Sequence, residues 1–229
     1  MKMISSSKRE LIRGMSAAAM AVFAGCTCCG PKEELLFGER LEKADYDPAV
    51  WYFDTEGNLT AKSDQAIWTK CGDWENFELD LEYNLDPAAN SGILVYCTDR
   101  KDWIPNAVEV QLMDDYAEKW AKDPAYLKTG SLYGHLAPIA TSQKPTGEWN
   151  RAVLTARGSL LTLVINGVVV QDNADLSKMT DAKKNPDGST IPPWLSRPWA
   201  DLPTKGFIGL QGKHAGATVR FRNIRVRKL

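Results

Sequence analysis

Two stretches of the chain set ionisable side chains at the spacing of a β-strand. In Val108-Glu109-Val110-Gln111-Leu112-Met113-Asp114, the apolar residues Val108, Val110 and Leu112 fall on one face. Glu109 and Gln111 fall on the other, and Asp114 closes the stretch. A carboxyl beside an amide on an exposed sheet face can exchange a proton with a bound molecule and hydrogen-bond it. Phe77-Glu78-Leu79-Asp80-Leu81-Glu82-Tyr83 also alternates, with three carboxylates on its polar face. That face has a simpler partner in Arg220, Arg222, Arg225 and Arg227 of the last strand, so it reads as a solvated, ion-paired surface. Only two histidines exist, His135 and His214. A three-histidine zinc site within one chain is therefore excluded. His214 sits in the glycine-bearing turn Gly212-Lys213-His214-Ala215-Gly216 and carries the side chain best suited to acid–base work near neutrality.

These side chains need strands to hold them, and from about residue 35 the chain reads as strands parted by turns. Residues 77–83, 91–96, 107–113, 151–157, 160–165, 207–211 and 217–229 are the expected strands. Asn166-Gly167 predicts a type I′ hairpin turn into Val168-Val169-Val170. Phe221 and Ile224 stand three apart in the last strand, so a β-bulge near Asn223 is needed to turn both inward. No long amphipathic helix and no repeat is evident. Two excursions, 114–129 and the Pro-rich 173–205, exceed ordinary connections, and the longer one reads as a functional rim. Trp103, Trp120, Trp194 and Trp199 are expected to be exposed and available to stack on flat ligands.

Composition narrows the class. The chain has 229 residues, with 28 basic against 29 acidic side chains and a net charge of −1. That balance argues against a nucleic-acid partner. Lys2, Lys8, Arg9 and Arg13 precede the small and apolar run Gly14–Gly25, the layout of a secretory signal over residues 1–25. Phe23-Ala24-Gly25-Cys26 resembles a bacterial lipobox, which implies lipidation at Cys26, a tether over 26–34 and a single domain over 35–229. The expected location is the bacterial cell envelope, with the membrane reached only through that lipid. Cys28 and Cys29 read as spare thiols in the tether, and Cys71 and Cys97 as either free or bridged.

Seven short motifs follow one another in order: Asn90-Ser91-Gly92-Ile93, Glu109-Val110-Gln111-Leu112-Met113-Asp114, Thr129-Gly130-Ser131-Leu132-Tyr133-Gly134, Lys144-Pro145-Thr146-Gly147-Glu148-Trp149-Asn150, Asn166-Gly167, Gly209-Leu210-Gln211 and Phe221-Arg222-Asn223-Ile224-Arg225. Together they resemble the 3-keto-glucoside lyase/3-keto-2-hydroxyglucal hydratase family. The resemblance implies an all-β, two-sheet antiparallel jelly roll of the concanavalin type with long surface loops, acting on sugars outside the cell. It also departs from the family: many members carry Arg where Tyr96 stands, and the spacing within Gln211-Gly212-Lys213-His214 is altered.

The implied chemistry is elimination. A ketone at C3 acidifies the C2 proton; its removal gives an enolate that expels the C1 substituent, and hydration runs the same path backwards. This needs a base, an acid and donors to the C3 oxygen. Glu109 and His214 are the expected acid–base pair, in either assignment. Asn90, Tyr96, Gln111, Asp114, Tyr133, Lys144 and Gln211 are expected to bind the sugar. A divalent metal on rim carboxylates and histidine is compatible with the sequence but not demanded by it. A 3-keto sugar also implies an upstream oxidoreductase. A non-catalytic carbohydrate-binding module and a glycoside hydrolase of the same fold are the alternatives.

Overall fold

The computed structural model describes residues 32–229. The signal segment, Cys26, Cys28 and Cys29 lie outside the described residues. The strands are β1 (Glu34–Leu35), β2 (Ala44–Asp45), β3 (Trp51–Phe53), β4 (Leu59–Ala61), β5 (Ile67–Thr69), β6 (Phe77–Leu85) and β7 (Asn90–Cys97). They continue with β8 (Val108–Met113), β9 (Asn150–Arg157), β10 (Leu160–Ile165), β11 (Val168–Asp175), β12 (Phe207–Leu210) and β13 (Val219–Lys228). All pairings between these strands are antiparallel. One sheet runs β11-β10-β9-β6-β13-β4-β3, with β1 also on β13; the other runs β2-β5-β12-β7-β8. This is the expected two-sheet jelly-roll sandwich.

One buried cluster draws on both sheets, with Trp51, Phe77, Tyr83, Ile93, Val110 and Phe221 among its members. Alternation in β6 drives the larger sheet onto it: Phe77, Leu79, Leu81 and Tyr83 are buried. The outward carboxylates are paired, as expected. Glu78 accepts from Arg227 at 2.9 Å and Glu82 from Arg222 at 2.6 Å. Asp80 instead pairs with Arg151 of β9, and Arg225 turns to Glu33 at 3.6 Å. The β13 register slips between Arg222 and Arg225, with Asn223 at φ 53°. This is the expected bulge, and Phe221 and Ile224 are both buried. Asn166 and Gly167 both have positive φ and close the β10–β11 hairpin, as a type I′ turn requires.

A second bulge corrects an expectation. Against β12, Phe207 and Gly209 stand two apart, while their β7 partners Cys97 and Leu94 stand three apart. The extra residue lets Val95 and Tyr96 both join the main core, whereas Leu94 and Cys97 pack on the other face of the sheet. Tyr96, at φ 55°, is fully buried, and its hydroxyl reaches the carbonyls of Glu75 (3.0 Å) and Gly158 (2.8 Å). It is a core residue, not a sugar-binding one. Cys71 is exposed, Cys97 is buried, and both thiols are free.

Candidate functional site

The outer face of the smaller sheet carries the site. Cross-strand partners share a face, so Trp68, Gly209, Leu94 and Glu109 form one row across β5, β12, β7 and β8. Gly92 and Gln111 form the next, and Gln211 extends it through its N–H to the Gly92 carbonyl at 2.9 Å. Beyond β8 the chain returns as residues 130–133. Tyr133 N–H donates to the Glu109 carbonyl and Gly130 N–H to that of Gln111, each at 2.9 Å. Tyr133 thus extends the Glu109 row.

Above these rows lies a cavity of about 540 Å³, lined by Asn90, Glu109, Gln111, Tyr133, Gln211 and His214, together with Asp64, Gln65, Trp103, Ile104 and Trp194. Its size suits a small-molecule ligand. Burial pushes the Glu109 carboxyl up to about 8, because water is withdrawn and no cation replaces it. Tyr133 rises to about 12, chiefly through burial and then through the neighbouring Glu109 charge, with the Trp194 side chain beside it opposing the rise. Gln111 is almost fully buried, and its Nε2 donates to Asn90 Oδ1 at 3.2 Å. The Oε1 atoms of Gln111 and Gln211 and the Ser131 hydroxyl are buried without a partner.

His214 reaches the cavity because Gly212 allows a close approach. A Cβ at Gly212 would lie 2.7 Å from the Gln65 carbonyl and nearer still to that of Ser63. With Lys213 N–H also donating to Ser63 at 2.6 Å, the turn is held against residues 63–65. His214 Nδ1 then stands 3.9 Å from Asp64 Oδ2 at the exposed rim. Asp64, Gln65 and Ile104 had no signal in the sequence; only this loop docking and the turn after Trp103 bring them in.

Two further expected ligands fall elsewhere. Asp114 is buried away from the cavity, where its carboxylate accepts from Ala88 N–H (2.8 Å) and the Thr146 hydroxyl (2.6 Å). It ties two loops together. Lys144 is exposed and donates from Nζ to the Trp149 carbonyl at 2.9 Å, while its N–H donates to Asn150 Oδ1. Asn150 also accepts from Asn166 at 2.7 Å. Asp114 and Lys144 thus fasten loops through hydrogen bonds and do not line the cavity.

Of the two excursions, only the longer one reaches the cavity. Asn185 donates to the Gly134 carbonyl at 3.0 Å, and Trp199 stacks on His135 with ring centroids 3.8 Å apart. These anchors deliver Trp194, 53 % exposed, to the rim. Trp199 itself is buried, contrary to expectation. Trp103 is half-buried on the cavity wall, and Trp120 lies away from it under Lys119. His135 is also buried, its ring held neutral as burial lowers it to about 4. Among the described residues no three His, Cys, Asp or Glu side chains gather as a metal-binding group.

Residues 35–227 match the 3-keto-alpha-glucoside-1,2-lyase-like domain. The chain belongs to this family. A 3-keto-disaccharide hydrolase of Bacteroides thetaiotaomicron is 28 % identical over 174 residues, covering 68 % of this chain. The chain spans 59 % of that relative's length. The crystal structure of a candidate glycosyl hydrolase from Parabacteroides distasonis is 51 % identical, with a TM-score of 0.82 over 86 % of this chain and all of the other. A second protein of that description and organism, 22 % identical, shares the fold at a TM-score of 0.70 over 86 % of this chain and 94 % of its own. The lyase-like family thus accounts for nearly the whole described domain.

Proposed function

We propose that this lyase-like domain cleaves 3-keto-glucosides by removing the C2 proton and eliminating the C1 substituent, or hydrates the resulting 3-keto-2-hydroxyglucal. The observation that carries this reading is a lone desolvated carboxyl, Glu109, on the floor of the cavity, with the His214–Asp64 pair at its rim. A carbon acid next to a ketone is weak, and a carboxylate titrating near 8 accepts its proton far better than an ordinary one. Glu109 is accordingly the base. His214, supported by Asp64, is the acid that protonates the departing oxygen. Hydrolysis through an oxocarbenium ion instead needs two carboxyls flanking the scissile bond, and here the second carboxylate of the cavity, Asp64, faces His214.

The remaining lining residues suit the sugar. The unpartnered amide oxygens of Gln111 and Gln211 accept from ring hydroxyls, and Asn90 holds the Gln111 amide in place. The Tyr133 phenol, kept protonated, donates to the C3 oxygen as enolate charge develops. Trp194 and Trp103 offer faces on which a leaving group stacks. An oxidation at C3 must supply the substrate, so a sugar oxidoreductase acts upstream.

The test is incubation with a C2-deuterated 3-keto-glucoside and, separately, with its unoxidised parent. Only the keto sugar should be consumed, and the unsaturated product should lack the label. Retention of deuterium at C2 in the cleaved sugar, corrected for enzyme-free exchange, overturns elimination. Consumption of the parent glycoside would instead favour hydrolysis.

A further inference from the structure

Gly92 lies in the middle of β7, between Gln111 on one side and Gln211 on the other. Its φ is not in the left-handed region, so the backbone there accepts any residue. What it cannot accept is the volume. A Cβ on Gly92 would point to the outer face of the sheet and lie 2.8 Å from Cγ and 2.9 Å from Cδ of Glu109, with Oε1 closer still. These three nearest atoms all belong to one side chain. Glu109 pairs across the ladder with Leu94, and its carboxyl leans diagonally over the next residue pair, into the place where a side chain at 92 would stand.

We propose that Gly92 is a positioning residue for the acid–base step: its missing side chain is the seat in which the Glu109 carboxyl is held. Seated there, the carboxyl lies against the sheet over Gly92, in the row that Gln111 and Gln211 flank. Any side chain at 92 must push it out toward the open cavity. Two consequences follow. The carboxyl loses its aim at the reacting carbon, and it gains water. The first lowers turnover, since displacement of a reacting group by about 1 Å costs on the order of 10²-fold. The second relaxes its titration toward that of an ordinary carboxyl. The kinetic part rests on Glu109 acting as proposed above; the titration part does not.

The experiment uses Gly92→Ala, Glu109→Asp and the double variant, with Glu109→Gln to identify the Glu109 carboxyl resonance. Carbon-13 NMR of the carboxyls in the free protein reads the titration without any turnover. Glu109 should titrate near 8 in the parent and at least one pH unit lower in Gly92→Ala. On a 3-keto-glucoside, Gly92→Ala should lose about 10²-fold in kcat with little change in KM. In the Glu109→Asp background the same change should cost clearly less, because the shorter side chain leaves the seat free. A merely structural glycine would cost the same in both backgrounds. Equal losses in both, or a Glu109 titration unmoved by Gly92→Ala, overturn the proposal. A shifted titration in a protein inactive on 3-keto sugars would uphold the seat and reject the elimination chemistry instead.

Discussion

At the scale of single residues, Glu109 dominates. Its face and polarity were legible from the alternation of residues 108–112, but the desolvation of this half-buried side chain was not, because that depends on the cavity whose wall Tyr133 and Trp194 share with it. The raised titration has a sign that can be checked in stability. The unfolded chain releases this proton near 4.5 and the folded one near 8. Between those values folding must retain a proton the unfolded state has lost, so the carboxyl costs stability increasingly as pH rises through this window. Above about 8 the cost levels off. Glu109→Gln removes it: the variant should match the parent in thermal denaturation at pH 4 and exceed it at pH 8. The gain should be on the order of 2–3 kcal/mol, allowing for water in the cavity. Its turnover on 3-keto-glucosides should fall about 10²–10⁴-fold. In a His214→Gln variant, which isolates the Glu109 ionisation, the residual kcat/KM should climb with pH and level off near 8, as expected of a base. A profile that instead falls through pH 8 would exchange the roles of Glu109 and His214.

At the scale of elements, what the sequence reveals depends on period. β6 alternates cleanly, and both its inward side chains and its arginine partners follow from that. The Asn166-Gly167 turn and the bulge at Asn223 were legible because each is a local rule that must be satisfied. Strands β1–β5, two or three residues each, are too short to show a period. The bulge in β7 was hidden for another reason: Ile93-Leu94-Val95-Tyr96-Cys97 is apolar throughout, so no polar residue marks where the face changes. The resemblance implies a sugar contact at Tyr96, and with the bulge unmarked nothing in the residues opposes it, yet Tyr96 belongs to the core. Tyr96→Phe tests this directly. It should lower stability by about 1–2 kcal/mol, as two buried carbonyls lose their donor. That loss is read in urea denaturation, and turnover should stay unchanged. A loss of turnover at unchanged stability would return Tyr96 to the site. Asp114 and Lys144 teach the same lesson, since polar residues in loops can be fasteners as readily as ligands.

At the scale of the whole molecule, the class of fold and the family were readable from motif order, while the cavity wall was readable in part: Asn90, Glu109, Gln111, Tyr133, Gln211 and His214 were expected there, and Asp64, Gln65 and Ile104 were not. No linear spacing announces these last three. The N-terminal segment supports a further proposal, that lipid on Cys26 holds the domain at the envelope membrane. Cys26→Ser should move the protein from the membrane pellet to the soluble envelope fraction, with turnover retained. Continued pelleting of the variant would dismiss the lipid as its anchor. A last consequence comes from where Trp194 sits. Glu109, Gln111 and Gly92 are woven into a hydrogen-bonded ladder, but Trp194 rides on an excursion clasped to the sheet at Gly134 and His135. On the proposed reading, the part that makes bonds move and the part that greets the outgoing group thus stand on separate segments of the chain. Exchange of the excursion between relatives, leaving those clasps in place, should then change which 3-keto-glucosides are consumed while the release of the C2 proton is kept.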